Sequence, residues 1–347
     1  MTIVTFVKSV SIPTAASALA LLSLSGLPAN AASFTNGIYT VNVSEGSSNG
    51  SWNAITGSAH PAGGGRNLMY RGSNTTTNFS SLRIFDGASS QDYTFSGSGG
   101  STSLDSYVSF EGDSIFADEG FRTAWDLTPE SLDIVQDVFL VGGDYDSSAI
   151  YHTVEITNNG SQSVSLGWRN LYDWDISGSG LSSDDGPSNQ VESADGTIVV
   201  PTTTNEFSYQ PQGADFVRVS RHPGTPTYEP LLSLGFDPNF VPALPITTPT
   251  EYAYTSWRSA FNSAFDYATN SSRNVTGDSA GLTWFGRDAA TAYNLAAGES
   301  VRFNQVIFAV LPDDPIPNDV PEPSSLLGLA VFASLGIRRV YRSNQEN

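Results

Sequence analysis

Between residues 149 and 176 the side chains alternate in character with a period of two, and this constrains the fold more than anything else in the chain. Ile150, His152, Val154 and Ile156 fall on one side of an extended segment, with Tyr151, Thr153, Glu155 and Thr157 on the other. Asn158-Asn159-Gly160 follows, residue types that tolerate the positive φ of a tight turn. The chain then resumes with Val164, Leu166, Trp168, Asn170, Tyr172 and Trp174 on one face. A helix would scatter these side chains around its axis. The pattern predicts a long antiparallel hairpin with one face packed on a core.

Shorter runs rich in Val, Ile, Tyr and Phe predict further strands at 37–43, 81–85, 133–141, 216–220, 231–236, 282–287 and 301–311. Ser, Thr, Gly and Asn fill the gaps between them. Many short strands joined by polar turns predict an all-β fold, an antiparallel β-sandwich or a larger two-sheet supersandwich. One stretch has a different period. Trp257, Ala260, Phe261, Ala264, Phe265 and Ala268 recur at three- and four-residue spacing and predict a short helix over 256–268. Seven prolines between His222 and Thr250 predict a long rigid loop draped over the sandwich. The chain contains no cysteine, so its stability rests on a sizeable core rather than on disulfides. Thiolate metal sites, haem attachment and cysteine nucleophiles are thereby excluded.

The two ends carry addresses. Residues 1–31 combine Lys8, the only lysine, with an apolar stretch from Ala15 to Leu24 and a small-residue box ending Ala29-Asn30-Ala31. That is the layout of a secretory signal peptide, and it predicts export through the Sec translocon, cleavage by signal peptidase and a mature start at Ala32. At the other end, a spacer over 312–320 rich in Pro and Asp precedes Pro321-Glu322-Pro323. An apolar run of 12 residues, Leu326 to Ile337, and the basic Arg338, Arg339 and Arg342 follow. A stable transmembrane helix needs about 20 apolar residues. The run therefore predicts a short hydrophobic helix suited to temporary retention, with the arginines on the cytoplasmic side.

This order of parts resembles the PEP-CTERM sorting signal of bacterial surface proteins. The resemblance covers only residues 321–347 and leaves the domain over 32–311 unassigned. It implies an exosortase-like membrane enzyme as processing partner, cleavage near Pro321–Pro323, and association with exopolysaccharide and biofilm envelopes at the cell surface or outside the cell.

Between Ala32 and Val320 there are 11 arginines against 33 carboxylates, a formal charge of −22. Such a surface repels nucleic acid and anionic lipid, and leaves divalent cations and neutral polysaccharides as ligands. The sharpest local motif begins at Asp173. Asp173, Asp175, Ser177, Ser179 and Asp184 place oxygen ligands at the spacing of a calcium loop, with Gly178 at its sharp turn. The segment before it reads as a strand, so the expectation is calcium in a strand–loop setting rather than an EF-hand. Asp144-Tyr145-Asp146 is a weaker echo. Gly46-Ser47-Ser48-Asn49-Gly50 matches a nucleophile-elbow pattern only as chance allows in a Gly- and Ser-rich chain. His152, on the apolar face of its strand, reads as a structural histidine. Trp168, Tyr172 and Trp174 read as core more than as a sugar-stacking platform. Carboxylate pairs for glycoside chemistry remain open, because their separation is spatial. The composite expectation is a non-enzymatic exported surface or matrix protein. Its alternatives are a calcium-assisted polysaccharide-binding module and a secreted carbohydrate-active enzyme.

Overall fold

The computed structural model describes residues 31–44, 50–70, 78–95, 108–116, 120–176, 188–193, 197–212, 215–220, 229–234, 246–263, 265–275 and 277–311. Almost all of it is strand. In chain order these are β1 (Ala31–Thr35), β2 (Tyr39–Ser44), β3 (Trp52–Thr56), β4 (Phe79–Asp86), β5 (Ser89–Phe95), β6 (Val108–Phe116), β7 (Gly120–Leu127), β8 (Leu132–Val141), β9 (Ala149–Asn158) and β10 (Val164–Trp174). They continue with β11 (Ser188–Ser193), β12 (Ile198–Thr203), β13 (Phe207–Tyr209), β14 (Asp215–Ser220), β15 (Glu229–Ser233), β16 (Glu251–Ser256), β17 (Ser279–Phe285), β18 (Tyr293–Leu295) and β19 (Ser300–Val310). The predicted strands are present as β2, β4, β8, β14, β15, β17 and β19.

Among the described residues every strand pairing is antiparallel, in two large sheets and one small one. The nine-stranded sheet runs β12-β11-β14-β15-β19-β9-β8-β7-β6. The seven-stranded sheet runs β13-β16-β17-β10-β4-β5, with β18 also on β10. A three-stranded sheet, β1-β2-β3, packs Tyr39, Val41 and Trp52 into the same apolar cluster as Ile150, Tyr172 and Trp174. The expected β-sandwich is the observed fold.

The predicted hairpin is not. β9 pairs with β8 and β19, whereas β10 pairs with β4, β17 and β18, so the two strands lie in opposite sheets. A period of two is the same for partners side by side and for strands facing each other across a core. Asn158 shapes the crossing. Its Nδ2 donates to the carbonyls of Gln162 (2.7 Å) and Leu295 (3.0 Å), and its Oδ1 accepts from Gly160 N–H (2.9 Å). The inward residues of β9 and β10 consequently meet across the interior.

That interior is divided by a layer of hydrogen bonds. His152 Nδ1 lies 2.9 Å from Tyr172 Oη, and Nε2 lies 3.1 Å from Gln136 Oε1. Gln136 Nε2 donates to the Gly50 carbonyl (2.6 Å). On the other side, Tyr172 Oη (2.6 Å), Asn170 Nδ2 (2.7 Å) and Thr283 Oγ1 (3.0 Å) all contact Gln305 Oε1. Trp168 Nε1 (2.6 Å) and Ser80 Oγ (2.8 Å) converge on Asn170 Oδ1. On one side of this layer lies the cluster of Leu82, Trp125, Ile134, Trp168 and Phe285, and on the other the cluster of Val138, Ile150 and Trp174. His152 is the structural histidine its alternation implied, and Trp168, Tyr172 and Trp174 are fully buried core.

The predicted helix is shorter than its periodicity. α1 spans only Trp257–Phe261, with Ser256 Oγ accepting from Ser259 N–H at its start. Ala260, Phe261 and Phe265 do face the sheet as expected. The backbone leaves the helix because side chains of the sheet capture its carbonyls: Arg169 bonds to Ser263 O, Trp284 to Phe265 O and Arg287 to Tyr267 O. The proline-rich stretch is likewise not loop throughout, since β15 lies within it between β14 and β19.

Burial lowers the His152 pKa from 6.5 to about 3. Its contribution to stability is therefore complete above pH 6.5 and is lost as pH falls toward 3. His152→Gln should unfold at lower urea than the parent at pH 7, by about 1–3 kcal/mol for the partners it orphans. Urea titrations at successive pH values should show that gap narrowing as the pH falls.

Candidate functional site

With Trp168, Asn170, Tyr172 and Trp174 directed inward, the alternate residues of β10 (Gly167, Arg169, Leu171 and Asp173) face the outer side of the seven-stranded sheet. This face has an apolar middle, formed by Leu171, Leu282 and Trp284 beneath α1 and Phe265. Its two ends are charged and differ in kind.

At one end an open groove of about 350 Å³ is lined by Arg83, Phe85, Glu251, Asp266, Arg287 and Asp288, among others. β4 and β5 supply its rim through a two-residue turn in which Gly87 takes φ +57, a conformation that suits glycine. Arg83 is held bidentately by Asp92, with Nε–Oδ1 2.6 Å and Nη2–Oδ2 2.8 Å, and its Nη1 reaches Asp266 Oδ2 at 2.8 Å. The hydrogen bond to Asp92 is the largest cause of a raised Arg83 pKa. The same guanidinium lies 4.6 Å from the Phe265 ring centre. Arg287 pairs with Glu251 and stacks 4.4 Å over Trp284. Arg83 and Arg287 are thus each fixed in orientation by an ion pair and by an aromatic face.

The segment after α1 crosses this end. Phe265 enters the space left by Gly167, where an added Cβ would lie 3.1 Å from the ring and 1.9 Å from the Gly286 carbonyl oxygen. Buried Glu206 ties the far end of the segment, accepting from Tyr267 Oη (2.8 Å), Asn270 N–H (2.9 Å) and Arg273 Nη1 (3.0 Å).

At the opposite end lie three carboxyl groups. Asp173 and Asp175, both singled out by the sequence, are buried where β10 ends. Asp175 Oδ2 accepts from Asn67 Nδ2 (2.9 Å), and the Asp173 backbone N–H donates to Asn78 Oδ1 (2.7 Å). Asp278, far away in sequence, hydrogen-bonds to Asp173. Burial, helped by the charge of Asp175 and opposed by that hydrogen bond, pushes the Asp278 pKa from 3.8 up to about 6. Asp278 is the residue the sequence did not reveal, because only the pairing of β10 with β17 brings it near. Ser177, Ser179 and Asp184 of the expected calcium loop lie outside the described residues, as do Ala29, Pro321, Glu322, Pro323, Arg338, Arg339 and Arg342. Ala31 is the first residue of β1. Among the described residues no three His, Asp or Glu side chains converge in a way that could hold a metal ion. None of the described helices is long and apolar enough to cross a membrane.

No protein-family model matches the sequence, nor does any curated protein. Solved structures do match by shape. A protein from Escherichia coli K12, provisionally named an aldose 1-epimerase, superposes with TM-score 0.51 at 10% identity, covering 82% of this chain and 100% of its own. A galactose mutarotase related enzyme from Lactobacillus acidophilus gives 0.50 at 6% identity, with coverage of 83% and 99%. The fold is a galactose mutarotase-like β-sandwich. This corrects the non-enzymatic expectation. Over four fifths of the chain, the architecture is one that solved structures named as carbohydrate enzymes share, and it is not specific to inert matrix proteins.

Because the folded Asp278 holds its proton to about pH 6 and the unfolded one only to 3.8, the parent protein loses stability as pH rises through that window. Thermal melts should show Asp278→Asn gaining on the parent as pH increases from 4 to 7.

Proposed function

We propose that this is a saccharide-directed protein whose working surface is the outer face of the seven-stranded sheet. The observation that carries the reading is the groove at Arg83, Glu251 and Arg287, with planar charged groups locked by ion pairs over aromatic rings. Vicinal hydroxyls need donors and acceptors held at fixed spacing, and sugar CH faces need apolar rings; the groove offers both. The mutarotase-like fold supports the same reading by analogy. Calorimetric titration with a panel of neutral gluco- and galacto-oligosaccharides tests it. One member should bind, and Glu251→Gln with Arg287→Met should weaken it by about tenfold or more, roughly 1.4 kcal/mol. Unchanged binding in that variant excludes the groove.

The Asp278–Asp173 pair favours a second reading, acid–base catalysis on a sugar. A carboxyl whose pKa is pushed up to about 6 beside a second carboxyl can exchange a proton with a sugar just below neutral pH, and the names of the two similar structures point to the anomeric centre of an aldose as a place where such transfer serves. Turnover would then follow an apparent pKa near 6, and Asp278→Asn would abolish it.

Delivery belongs to the same proposal. The box at Ala29 and Ala31 supports export, and Pro321–Pro323 with Arg338, Arg339 and Arg342 supports sorting and processing by an exosortase-like enzyme to the cell surface or medium. Intact mass of protein from the medium should show a start at Ala32 and an end near Pro321. A species retaining Arg338 to Asn347 would indicate a simple anchor.

A further inference from the structure

Arg83 sits between two carboxylates, and one of them is enough to hold it. Asp92 takes Nε and Nη2 as a bidentate pair, and Asp266 takes the remaining Nη1 through Oδ2 at 2.8 Å. The nine-stranded sheet has the same arrangement in buried form. There Arg218 lies between Glu192 and Glu229, whose side chains are only 9% and 11% exposed. Both of those carboxylates belong to a packed face. Asp266 differs, because its side chain is 67% exposed and lines the groove. An ion pair that open to water adds little to folding.

The pairing decides what charge the groove shows to solvent. Its charged lining is two arginines, Arg83 and Arg287, and three carboxylates, Glu251, Asp266 and Asp288. Glu251 neutralises Arg287, and Asp92 neutralises Arg83. The charge left over belongs to Asp266 and Asp288. Asp288 Oδ1 is taken by the backbone N–H groups of Ala290 and Thr291. Asp266 uses only Oδ2, so Arg83 fixes the carboxylate and leaves Oδ1 open to the groove. Half-buried Phe85 supplies an apolar wall on the same side.

We propose that Asp266 sets the specificity of the groove and selects a cationic saccharide, a hexosamine unit whose amine is free and protonated. This rests on the groove reading and names the ligand class of that site. The ammonium donates to Asp266 Oδ1 while Arg83 keeps Oδ2, and the apolar face of the sugar ring lies against Phe85. A charge-assisted hydrogen bond to a held carboxylate is stronger than the neutral bond a hydroxyl would make in the same place. A ligand carboxylate would instead meet the two uncompensated acids. The net charge of −20 favours the same choice, since it draws cations toward the protein.

Titrating a glucosamine tetrasaccharide and the glucose tetrasaccharide of the same linkage into the full mature protein tests the inference, because the two differ only in ammonium against hydroxyl. At about pH 6, below the range of a free amino group, the glucosamine form should bind about tenfold more tightly. Its advantage should shrink as salt rises. Asp266→Asn keeps an oxygen for Arg83 and should erase the advantage while leaving affinity for the glucose form in place. Asp146→Asn removes the same charge from the connection between β8 and β9, outside the groove, and should leave the advantage intact. Equal affinity in the parent, an advantage that survives Asp266→Asn, or one lost in Asp146→Asn overturns the inference and leaves the groove reading standing. Tetralysine binding as tightly as the glucosamine form would mean simple charge attraction and overturns it too. If neither sugar binds, the inference falls, and the galacto-oligosaccharides of the neutral panel decide the groove reading.

Discussion

The structure depends on the buried hydrogen-bond layer that joins its two large sheets. Gln136 and His152 reach inward from the nine-stranded sheet, Asn170, Tyr172 and Thr283 from the seven-stranded one, and Gln305 receives three contacts at their meeting point. Apolar packing alone tolerates small slips between sheets, but a slip here would strand several buried polar atoms, each at about 1–3 kcal/mol. The layer therefore sets the facing register of β9 and β10, and it explains why these consecutive strands cross the core and do not pair. It also decides what happens on the outside, since every inward residue of β10 leaves its neighbour facing out.

The outer face follows from that constraint. Gly167, Arg169, Leu171 and Asp173 are the complement of Trp168, Asn170, Tyr172 and Trp174. Gly167 leaves room for Phe265, Leu171 contributes the apolar middle, and Arg169 and Asp173 mark the two charged ends. The segment after α1 is bound across this face by sheet side chains and held at its far end by Glu206. A surface organised in this way, with oriented charges beside a groove, suits recognition of a polar ligand better than it suits plain solubility.

Much of the fold was legible in local sequence. Alternation marked the strands, and the same alternation correctly assigned His152 and the three large aromatics to the core. It could not tell a hairpin from a core-crossing arch, because both use a period of two. The three- and four-residue spacing after Trp257 named side chains that do reach the sheet. It missed the short length of α1, which arises from carbonyl bonds to Arg169, Trp284 and Arg287, all distant in sequence. Site residues followed the same division. Asp173 and Asp175 lay within one local motif, whereas Asp278 and the pairing of Arg83 with Asp266 exist only through strand order.

The central claim is that the outer face of the seven-stranded sheet is where this protein meets its saccharide. A crystal structure of the mature protein with a bound oligosaccharide tests that most directly. The account predicts sugar density against Arg83, Glu251 and Arg287, beside the segment that carries Ser263 and Asp266. Density seated on the nine-stranded sheet, with this groove unchanged, would contradict it.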